Sequence, residues 1–588
     1  MLHASGWSGW MLYMLATAVV ITTMALAQTQ AQFTPLPKKD SLRVLKSARH
    51  AQNEFEIVRR ELLPRQAGLA EGACDAVVGR YCYRQRVGEA MPAEAGEVVA
   101  GRARLLAVLD SVSVLLPNDR WILAQRVRYQ LEAGRAQASY EVAWQCATHA
   151  AVPDTRQWCR TLMGYVAQRQ GDYLRADSAF TQALSEMNVE KRCEFEDLTP
   201  LLDGAAAKEY DRLSCAARDS MTAALWRLVQ PLYLTGVNDL RTEYLARVTR
   251  MYMEAESRIP MGSRPSDDDR ESLLRFGSSL WYTQENPPPG SGRPSVVAGH
   301  ARGPAFNFFP VARALASPGD LSAADWEFDG LAPRSRYAPE WAAHFLGLLD
   351  QQVAVFRRAD SAFIVAAFDA TDDGLFTGTL QAGVFAAGLE LGGVGSPLGR
   401  TIPNPGPTTV ATLRAPWRPM IVSLEVLDKN NHAAGRARFS VKLPSPGARL
   451  SMSDLLLYAP RDSTARTLDD AVPLTLSSLR VPRNRKLGLF WETYGARPTG
   501  ESFDYSLRVE PVGQGWLHRA FIKLKLREKD SALNLQWSER PDIADDIASR
   551  GLAVDLESLR PGRYRVRLSL TSGAGVPIIA EREIEILQ

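Results

Sequence analysis

Six cysteines and seven histidines are the residues of this 588-residue chain best suited to covalent or metal chemistry. The cysteines are Cys74, Cys82, Cys146, Cys159, Cys193 and Cys215. No two of them have the close spacing usual for zinc ligands, and only His149 lies near them in sequence. An even number of cysteines confined to one part of the chain favours disulfides formed in an oxidising compartment. We predict nearest-neighbour pairs: Cys74 with Cys82, Cys146 with Cys159, and Cys193 with Cys215.

The sequence signatures of common catalytic sites are missing. The chain has no His-Glu-x-x-His motif for zinc, no Gly-x-Ser-x-Gly nucleophile turn and no Walker phosphate-binding loop. The glycine-rich run 392–395 is followed by Pro397 and lacks the spacing of a dinucleotide-binding turn, so it indicates a loop. The histidines are scattered, and a carboxylate pair for glycoside hydrolysis is defined by distance in space. We predict no catalytic residue, no cofactor and no metal.

One stretch gathers charged and aromatic side chains that suit ligand binding. With a histidine further along, its members are Asp269, Arg270, Arg275, Phe276, Trp281, Tyr282 and His300. On one interpretation they line a groove for a peptide or a sugar. On the other, the charges cap elements and pair with one another while the rings fill a domain junction. His300 lies in the flexible run 299–303 beside a base, Arg302, and is the best candidate for a reaction.

A long helix is predicted to lead into this stretch. Asn238 suits the N-cap, and Asp239 just inside it suits the positive end of the helix. One face then carries an apolar stripe of Leu240, Tyr244, Val248 and Met251. Pro260 is predicted to end the helix, because proline lacks a backbone donor and disfavours helical geometry in the residue before it. Beyond the acidic run 267–269, apolar residues up to Phe276 predict a short strand closed by Gly277.

The same region resembles a known family. The run QPLYLTGVNDLRTEYLARV, followed by DDDRESLLRFG, is similar to the GWxTD-domain proteins, a largely uncharacterised group of exported bacterial proteins. In that group a long helix precedes an Asp-Arg-rich turn and a strand ending in Tyr/Phe-Gly, and the matching positions here are Asp269, Arg270, Phe276 and Gly277. The motif that names the family is absent, since residues 261–267 read MGSRPSD. The resemblance covers residues 225 to 588 and implies architecture without chemistry.

The N-terminus predicts export. Residues 11–26 are mostly apolar, and Ala25-Leu26-Ala27 fits a small-x-small cleavage site, so we predict a signal peptide over residues 1–27 and a periplasmic or secreted protein. Because the n-region has no Lys or Arg, an uncleaved anchor is the alternative. No cysteine before Cys74 is available for lipid modification, and no later segment is apolar for long enough to span a membrane. The net charge of +3 gives no reason to expect nucleic-acid binding.

Residues 40–232 predict a helical stack. The segment 154–187 resembles a tetratricopeptide repeat, with the small and aromatic positions of that helix pair at Gly164, Gly171, Tyr173, Ala176, Phe180 and Ala183. A single repeat cannot bury its own face, so neighbouring helices must supply atypical repeats. Such a stack either offers a concave face to a protein or peptide, or serves only as a spacer.

The rest of the chain predicts a small α+β junction module over 233–345, a β-sandwich over 350–446 and an immunoglobulin-like β-sandwich over 451–588. Short alternating strands separated by turn residues support both sandwiches. In the strand that begins near Tyr564, the outward positions are Arg563, Arg565 and Arg567. These arginines suit an acidic partner or a surface polysaccharide, or they form a solvated face that keeps an edge strand from pairing.

These patterns give a multi-domain α+β protein and three hypotheses for its function. The first is an exported, non-enzymatic interaction or scaffold protein of the bacterial cell envelope. The second is a hydrolase, a peptidase or glycosidase, with its site in residues 260–310. The third is a structural subunit of an envelope assembly.

Overall fold

A computed structural model describes the ranges 36–67, 76–79, 81–83, 90–286, 295–300, 305–309, 317–326, 335–371, 374–389, 397–441, 443, 450–496, 502–512, 533–540, 546–573 and 575–588. The predicted signal peptide and Cys74 lie outside these residues. None of the helices in the described ranges combines the length and hydropathy needed to cross a bilayer.

All but one of the described α-helices lie in the first half of the chain. They are α1 (Lys38–Glu61), α2 (Gly96–Leu115), α3 (Arg120–Glu132), α4 (Ala136–His149), α5 (Pro153–Arg169), α6 (Tyr173–Ser185), α7 (Val189–Phe195), α8 (Gly204–Asp211), α9 (Cys215–Val229), α10 (Asp239–Glu254), α11 (Asp267–Phe276) and the short α12 (Leu468–Ala471).

Local residues determine where helix α5 ends, where α6 begins and how closely the two helices pack. Gly171 has φ +75° and ends α5, and the Asp172 side chain then caps α6 by accepting from the backbone N–H of Arg175 at 3.1 Å. A Cβ at Gly164 would lie 2.8 Å from the ring of Phe180, so the absence of a side chain lets the helices approach. The predicted helical pair is confirmed; its identity as a tetratricopeptide repeat stays a prediction.

Two of the three predicted disulfides are present. Cys146 bonds to Cys159 with a Cα–Cα distance of 5.8 Å, and Cys193 bonds to Cys215 with a Cα–Cα distance of 5.5 Å. The first joins neighbouring helices α4 and α5, and the second joins α7 to the start of α9. Because Cys74 lies outside the described residues, the pair of Cys74 with Cys82 stays a prediction.

Helix α10 begins as predicted and ends earlier. The Asn238 side chain accepts from the backbone N–H of Arg241 at 3.0 Å, which confirms the N-cap. The helix stops at Glu254, well before Pro260, because the chain turns at Ser257, whose N–H bonds to the carbonyl of Glu254 at 2.8 Å.

The strand predicted before Gly277 is wrong, since Asp267–Phe276 forms helix α11. Ser266 and Asp269 make a capping box in which each side chain bonds to the other residue's backbone N–H. The three acidic residues 267–269 fall in the first turn, where the helix dipole favours negative charge. Gly277 ends the helix with φ +88°. Start signals in the polar residues thus outweigh the short apolar run.

The strands are β1 (Arg65–Ala67), β2 (Ala76–Val78), β3 (Tyr81–Tyr83), β4 (Trp281–Asn286), β5 (Val296–His300), β6 (Phe345–Leu348), β7 (Asp350–Arg358), β8 (Ser361–Asp369), β9 (Leu380–Gly388), β10 (Leu398–Ile402), β11 (Thr408–Pro416), β12 (Met420–Asp428), β13 (Ala433–Val441), β14 (Ser451–Met452), β15 (Leu456–Tyr458), β16 (Arg480–Pro482), β17 (Leu487–Tyr494), β18 (Phe503–Pro511), β19 (Leu533–Glu539), β20 (Ile547–Val554), β21 (Gly562–Ser572) and β22 (Ile578–Leu587). Strand β1 pairs in parallel with β4, and β4 pairs with β5.

The first predicted sandwich pairs a sheet of order β10-β9-β12-β13-β6 with a sheet of order β11-β8-β7. Their facing side chains form one apolar core, to which Phe368, Val384 and Leu424 contribute. Strand β12 is buried along its whole length, because its other face packs on the helical half. This β-sandwich confirms the coarse prediction for this part of the chain.

The second sandwich pairs β17, with β14, β15 and β20 at its edges, with a sheet of order β16-β22-β21-β18-β19. Tyr564, Val566, Leu568 and Leu570 point into its core as predicted. The suggestion that β21 is an edge strand is wrong, because β21 lies between β18 and β22. Its outward Arg565 instead pairs with Glu583 of β22 at 2.8 Å. An immunoglobulin-like fold stays a prediction.

Shared cores join these parts. One cluster of buried side chains runs from Leu123 in α3 through α10 to Leu427 and Ala434 in the first sandwich. Another places Phe356 of the first sandwich against Phe490 of the second, with ring centroids 6.0 Å apart. The apolar packing therefore continues across the predicted boundaries at residues 232 and 446.

Candidate functional site

The acidic and basic members of the predicted groove bond to residues three or four positions away in the chain. Asp269 completes the capping box of α11, and Arg270 pairs with Asp267 at 3.2 Å on the exposed first turn. Arg275 is buried, pairs with Glu271 at 3.0 Å and lies against the ring of Phe276. These are the contacts expected on the interpretation in which the charges cap and pair.

The aromatic members lie nearby in strands β4 and β5. The rings of Trp281 and His300 stack with centroids 5.2 Å apart, and Nε2 of His300 is 2.7 Å from the hydroxyl of Thr283. His300 is 1% exposed. Desolvation raises the pKa of Tyr282 to about 12. The structure therefore stacks Trp281 on the buried His300. Asp269 and Arg270 lie apart from this pair, at the N-terminal end of α11.

A buried ionic network that the sequence did not indicate lies where α1, α3 and α10 meet. Glu132 of α3 accepts from Arg59 of α1 at 2.8 Å and from Arg250 of α10 at 3.1 Å. Arg128, one turn earlier on α3, bonds to Glu132 at 3.0 Å and to Glu56 at 3.1 Å. Three helices that are distant in sequence are thereby fixed by charges.

The pKa values of the two central carboxyls, Glu132 and Glu56, shift in opposite directions. Burial alone would raise the pKa of Glu132, but Arg59, Arg128 and Arg250 together lower it well below the usual range. Burial raises the pKa of Glu56 despite the nearby arginines. The hydroxyl of Tyr129 donates to Glu56 at 2.7 Å and accepts from Gln52 at 2.9 Å. Because these side chains are buried and bonded to one another, the network serves to join helices.

Helix α10 packs against α3, α5 and α6. Thr242 donates to Gln168 of α5 at 2.6 Å, and Gln125 of α3 donates to the carbonyl of Met253 at 2.7 Å. At the N-terminal end, Arg241 pairs with Asp177 of α6 at 3.1 Å. The faces of α3 and α5 that carry Gln125 and Gln168 are thus in contact with the chain's own helix.

Asp239, the first residue of α10, holds a loop near the C-terminal end of the predicted junction module. It is fully buried and accepts from Nε1 of Trp341 at 2.7 Å and from the hydroxyl of Tyr337 at 3.1 Å. Burial raises its pKa to about 6, although both hydrogen bonds favour the carboxylate. Sequence reasoning predicted the helix position of Asp239 and missed its burial, because both partners lie about a hundred residues further along.

A second buried charge pair joins the helical half to the first sandwich. Arg438 of β13 bonds to Glu425 of β12 at 2.9 Å and donates to the carbonyls of Leu228 and Gln230 at the end of α9. Glu425 also accepts from the backbone N–H of Leu234 at 2.9 Å. The polar face of these strands therefore recognises a helix end rather than solvent.

No described set of three or more His, Cys, Asp or Glu side chains is arranged to hold a metal ion. No family model matches the chain, and no curated protein matches it. Among solved structures, the crystal structure of red sea bream transglutaminase is similar with a TM-score of 0.13 and 9% identity, over 41% of this chain and 31% of that chain. A TM-score this low does not indicate a shared fold.

Proposed function

We propose that this is an exported, non-enzymatic interaction or scaffold protein of the bacterial cell envelope, related to the GWxTD-domain group. A tetratricopeptide-like stack would bind a protein partner, and two sandwiches, the second immunoglobulin-like, would present it or hold a further subunit or envelope polysaccharide. The two disulfides support export, because such bonds persist in oxidising compartments.

The observation that carries the proposal is an apolar surface on the second helices of the stack. Trp144 of α4 is 42% exposed and Leu174 of α6 is 69% exposed. Arg175, next to Leu174, lies over the ring of Tyr140 at 5.4 Å, and Tyr140 is one helical turn from Trp144. Trp144 and Leu174 are thus exposed apolar residues on two helices that touch through Tyr140 and Arg175, and we call these two residues the outer stack surface. Exposed aromatic and apolar side chains of this kind are enriched at protein contacts.

The faces of α3 and α5 that contact α10 are a poor alternative, because α10 already occupies them. Displacing α10 would expose Arg250 and Glu254, which are buried and paired. The contact with a partner is therefore assigned to the outer stack surface. For the same reason, removing residues 28–232 would leave α10 without its partners, so binding is better tested in the full chain.

The test compares the mature chain with a W144A/L174A variant in pull-downs from envelope extracts, with each captured protein quantified. Val576→Ala is the matched control, since Val576 is 89% exposed on the second sandwich. We expect at least one partner to be reduced tenfold or more by the double variant and unchanged by the control. Identical captured sets from all three proteins would contradict the proposal.

A further inference from the structure

Two histidines far apart in sequence meet at the start of neighbouring strands. His344 precedes β6 and His432 precedes β13, and these strands pair in parallel from Phe345 and Ala433 onwards. The backbone N–H of His344 donates to the carbonyl of His432 at 3.2 Å. The two imidazole rings lie with centroids 5.5 Å apart and planes at 62°.

The tautomer of His432 is fixed by its surroundings. Its Nδ1 lies 2.8 Å from the carbonyl oxygen of Glu340, which can only accept, so Nδ1 carries the proton. Nε2 then holds a lone pair. An imidazole that donates one N–H to a backbone carbonyl and offers the other nitrogen is the usual arrangement of a metal ligand.

The turn that carries His432 is held in place. The carboxylate of Asp428 accepts from the backbone N–H groups of Asn430 at 3.1 Å and Asn431 at 3.2 Å. His432 itself adopts φ +49°, an uncommon conformation for a residue other than glycine. The turn thus holds the backbone at His432, and the contact with the Glu340 carbonyl holds its ring.

We propose that His344 and His432 together bind one divalent transition-metal ion. A metal about 2 Å from a ring nitrogen lies roughly 3 Å from the ring centre, so two rings at a tetrahedral angle have centres about 5 Å apart. The observed 5.5 Å fits this arrangement. Imidazole ligands select copper, nickel or zinc over calcium or magnesium. With two protein ligands, water fills the remaining positions and the exposed ring of His344 keeps the site open to solvent.

The metal would tie together two parts of the fold. Glu340, which orients His432, also lies beside the turn between α5 and α6, where its Oε2 is 2.7 Å from the Cβ position of Gly171. A metal that binds only the folded chain adds stability that grows with the logarithm of its concentration divided by its dissociation constant. We therefore expect copper to raise the melting temperature of the chain.

The experiment titrates Cu(II) into chelator-treated full-length protein and records the affinity, the stoichiometry and the electron paramagnetic resonance spectrum. The variants are H344A, H432A and their combination. His149→Ala is the matched control, because His149 is an exposed histidine whose Nδ1 also faces a backbone carbonyl, that of Gln145 at 3.1 Å, but whose ring neighbour is Trp144. Near-ultraviolet circular dichroism without metal checks that each variant is folded.

We expect the wild type to bind one more Cu(II) per chain than the double variant, with superhyperfine structure from two imidazole nitrogens. Each single variant should bind this ion at least tenfold more weakly and lose one nitrogen from the spectrum, while H149A matches the wild type. If either folded single variant keeps the wild-type affinity and spectrum, the two histidines do not share a metal and the proposal fails.

Discussion

Glu425 and Arg438 form an ion pair at 2.9 Å, and neither side chain reaches solvent. They stand on adjacent strands β12 and β13, and both also bond to the backbone of residues 228–234. The guanidinium lies 4.1 Å from the ring centroid of Tyr233. One charge pair thus fixes the helical half on the first sandwich.

Arg438→Met should destabilise the chain by about 3–5 kcal/mol, because it leaves Glu425 buried without its partner. The measurement is the free energy of unfolding in urea, followed by tryptophan fluorescence. Arg563→Met is the matched control, since Arg563 is 70% exposed and pairs with Glu583 at 3.0 Å; such exposed pairs contribute about 0–1 kcal/mol. Equal losses of unfolding free energy in the two variants would show that burial does not determine how much an ion pair contributes to stability.

Asp239 predicts an unusual pH dependence. Its folded pKa of about 6 exceeds the ordinary value of 3.8, so the folded chain binds more protons than the unfolded chain between these values. The stabilising effect of the protonated group is therefore complete below about pH 4 and is lost as the pH rises through 6. The cumulative effect is roughly 3 kcal/mol.

In the Asp239→Asn variant, the loss of stability between pH 4 and pH 7 that is due to this carboxyl should disappear. We expect the difference in unfolding free energy between variant and wild type to change by about 2–3 kcal/mol, in favour of the variant, from pH 4 to pH 7. Asp211→Asn, at a 73% exposed aspartate, is the control for removing one carboxyl. A wild-type-minus-variant difference that stays flat over this range would contradict burial of an ionisable Asp239.

Gly164 should tolerate no side chain. A Cβ there would lie 2.8 Å from the ring of Phe180, which is itself fully buried, so Gly164→Ala forces α5 and α6 apart. We expect a loss of about 1–3 kcal/mol, measured as a lower melting temperature. Gly204→Ala is the control, because the Cβ position at Gly204 has no described heavy atom within 4 Å apart from its immediate chain neighbours; it should be neutral or slightly stabilising. A neutral Gly164→Ala would refute the close approach.

Peptide mapping without reduction should recover the Cys146–Cys159 and Cys193–Cys215 bridges and will also test the predicted pair of Cys74 with Cys82. The Cys146–Cys159 bridge closes a loop with a sequence separation of 13, so replacing both cysteines by serine should cost about 3 kcal/mol. The double variant Cys146→Ser/Cys159→Ser is compared with the wild type in urea. Free thiols at these positions in freshly exported protein would contradict the pairing.

The sequence alone determined the features that depend on near neighbours. The apolar stripe of Leu240, Tyr244 and Val248 predicted the buried side of α10, and Asn238 predicted its start. Alternation predicted β21, and nearest-neighbour spacing predicted two disulfides. Periodicity, capping and short loop closure involve residues within one or two turns, so a single chain segment carries the information. The strand predicted at residues 273–276 failed because a capping box competes with a short apolar run.

Only the tertiary structure decided which polar faces are buried. In β12, Ser423 and Glu425 alternate with apolar residues as on a solvated strand, yet both are fully buried because the helical half packs over them. Asp239 likewise follows the rule for a helix N-terminus, and its burial depends on Trp341. The meeting of His344 with His432 depends on the parallel pairing of β6 with β13. Such contacts join residues tens to hundreds of positions apart, and local patterns hold no information about them.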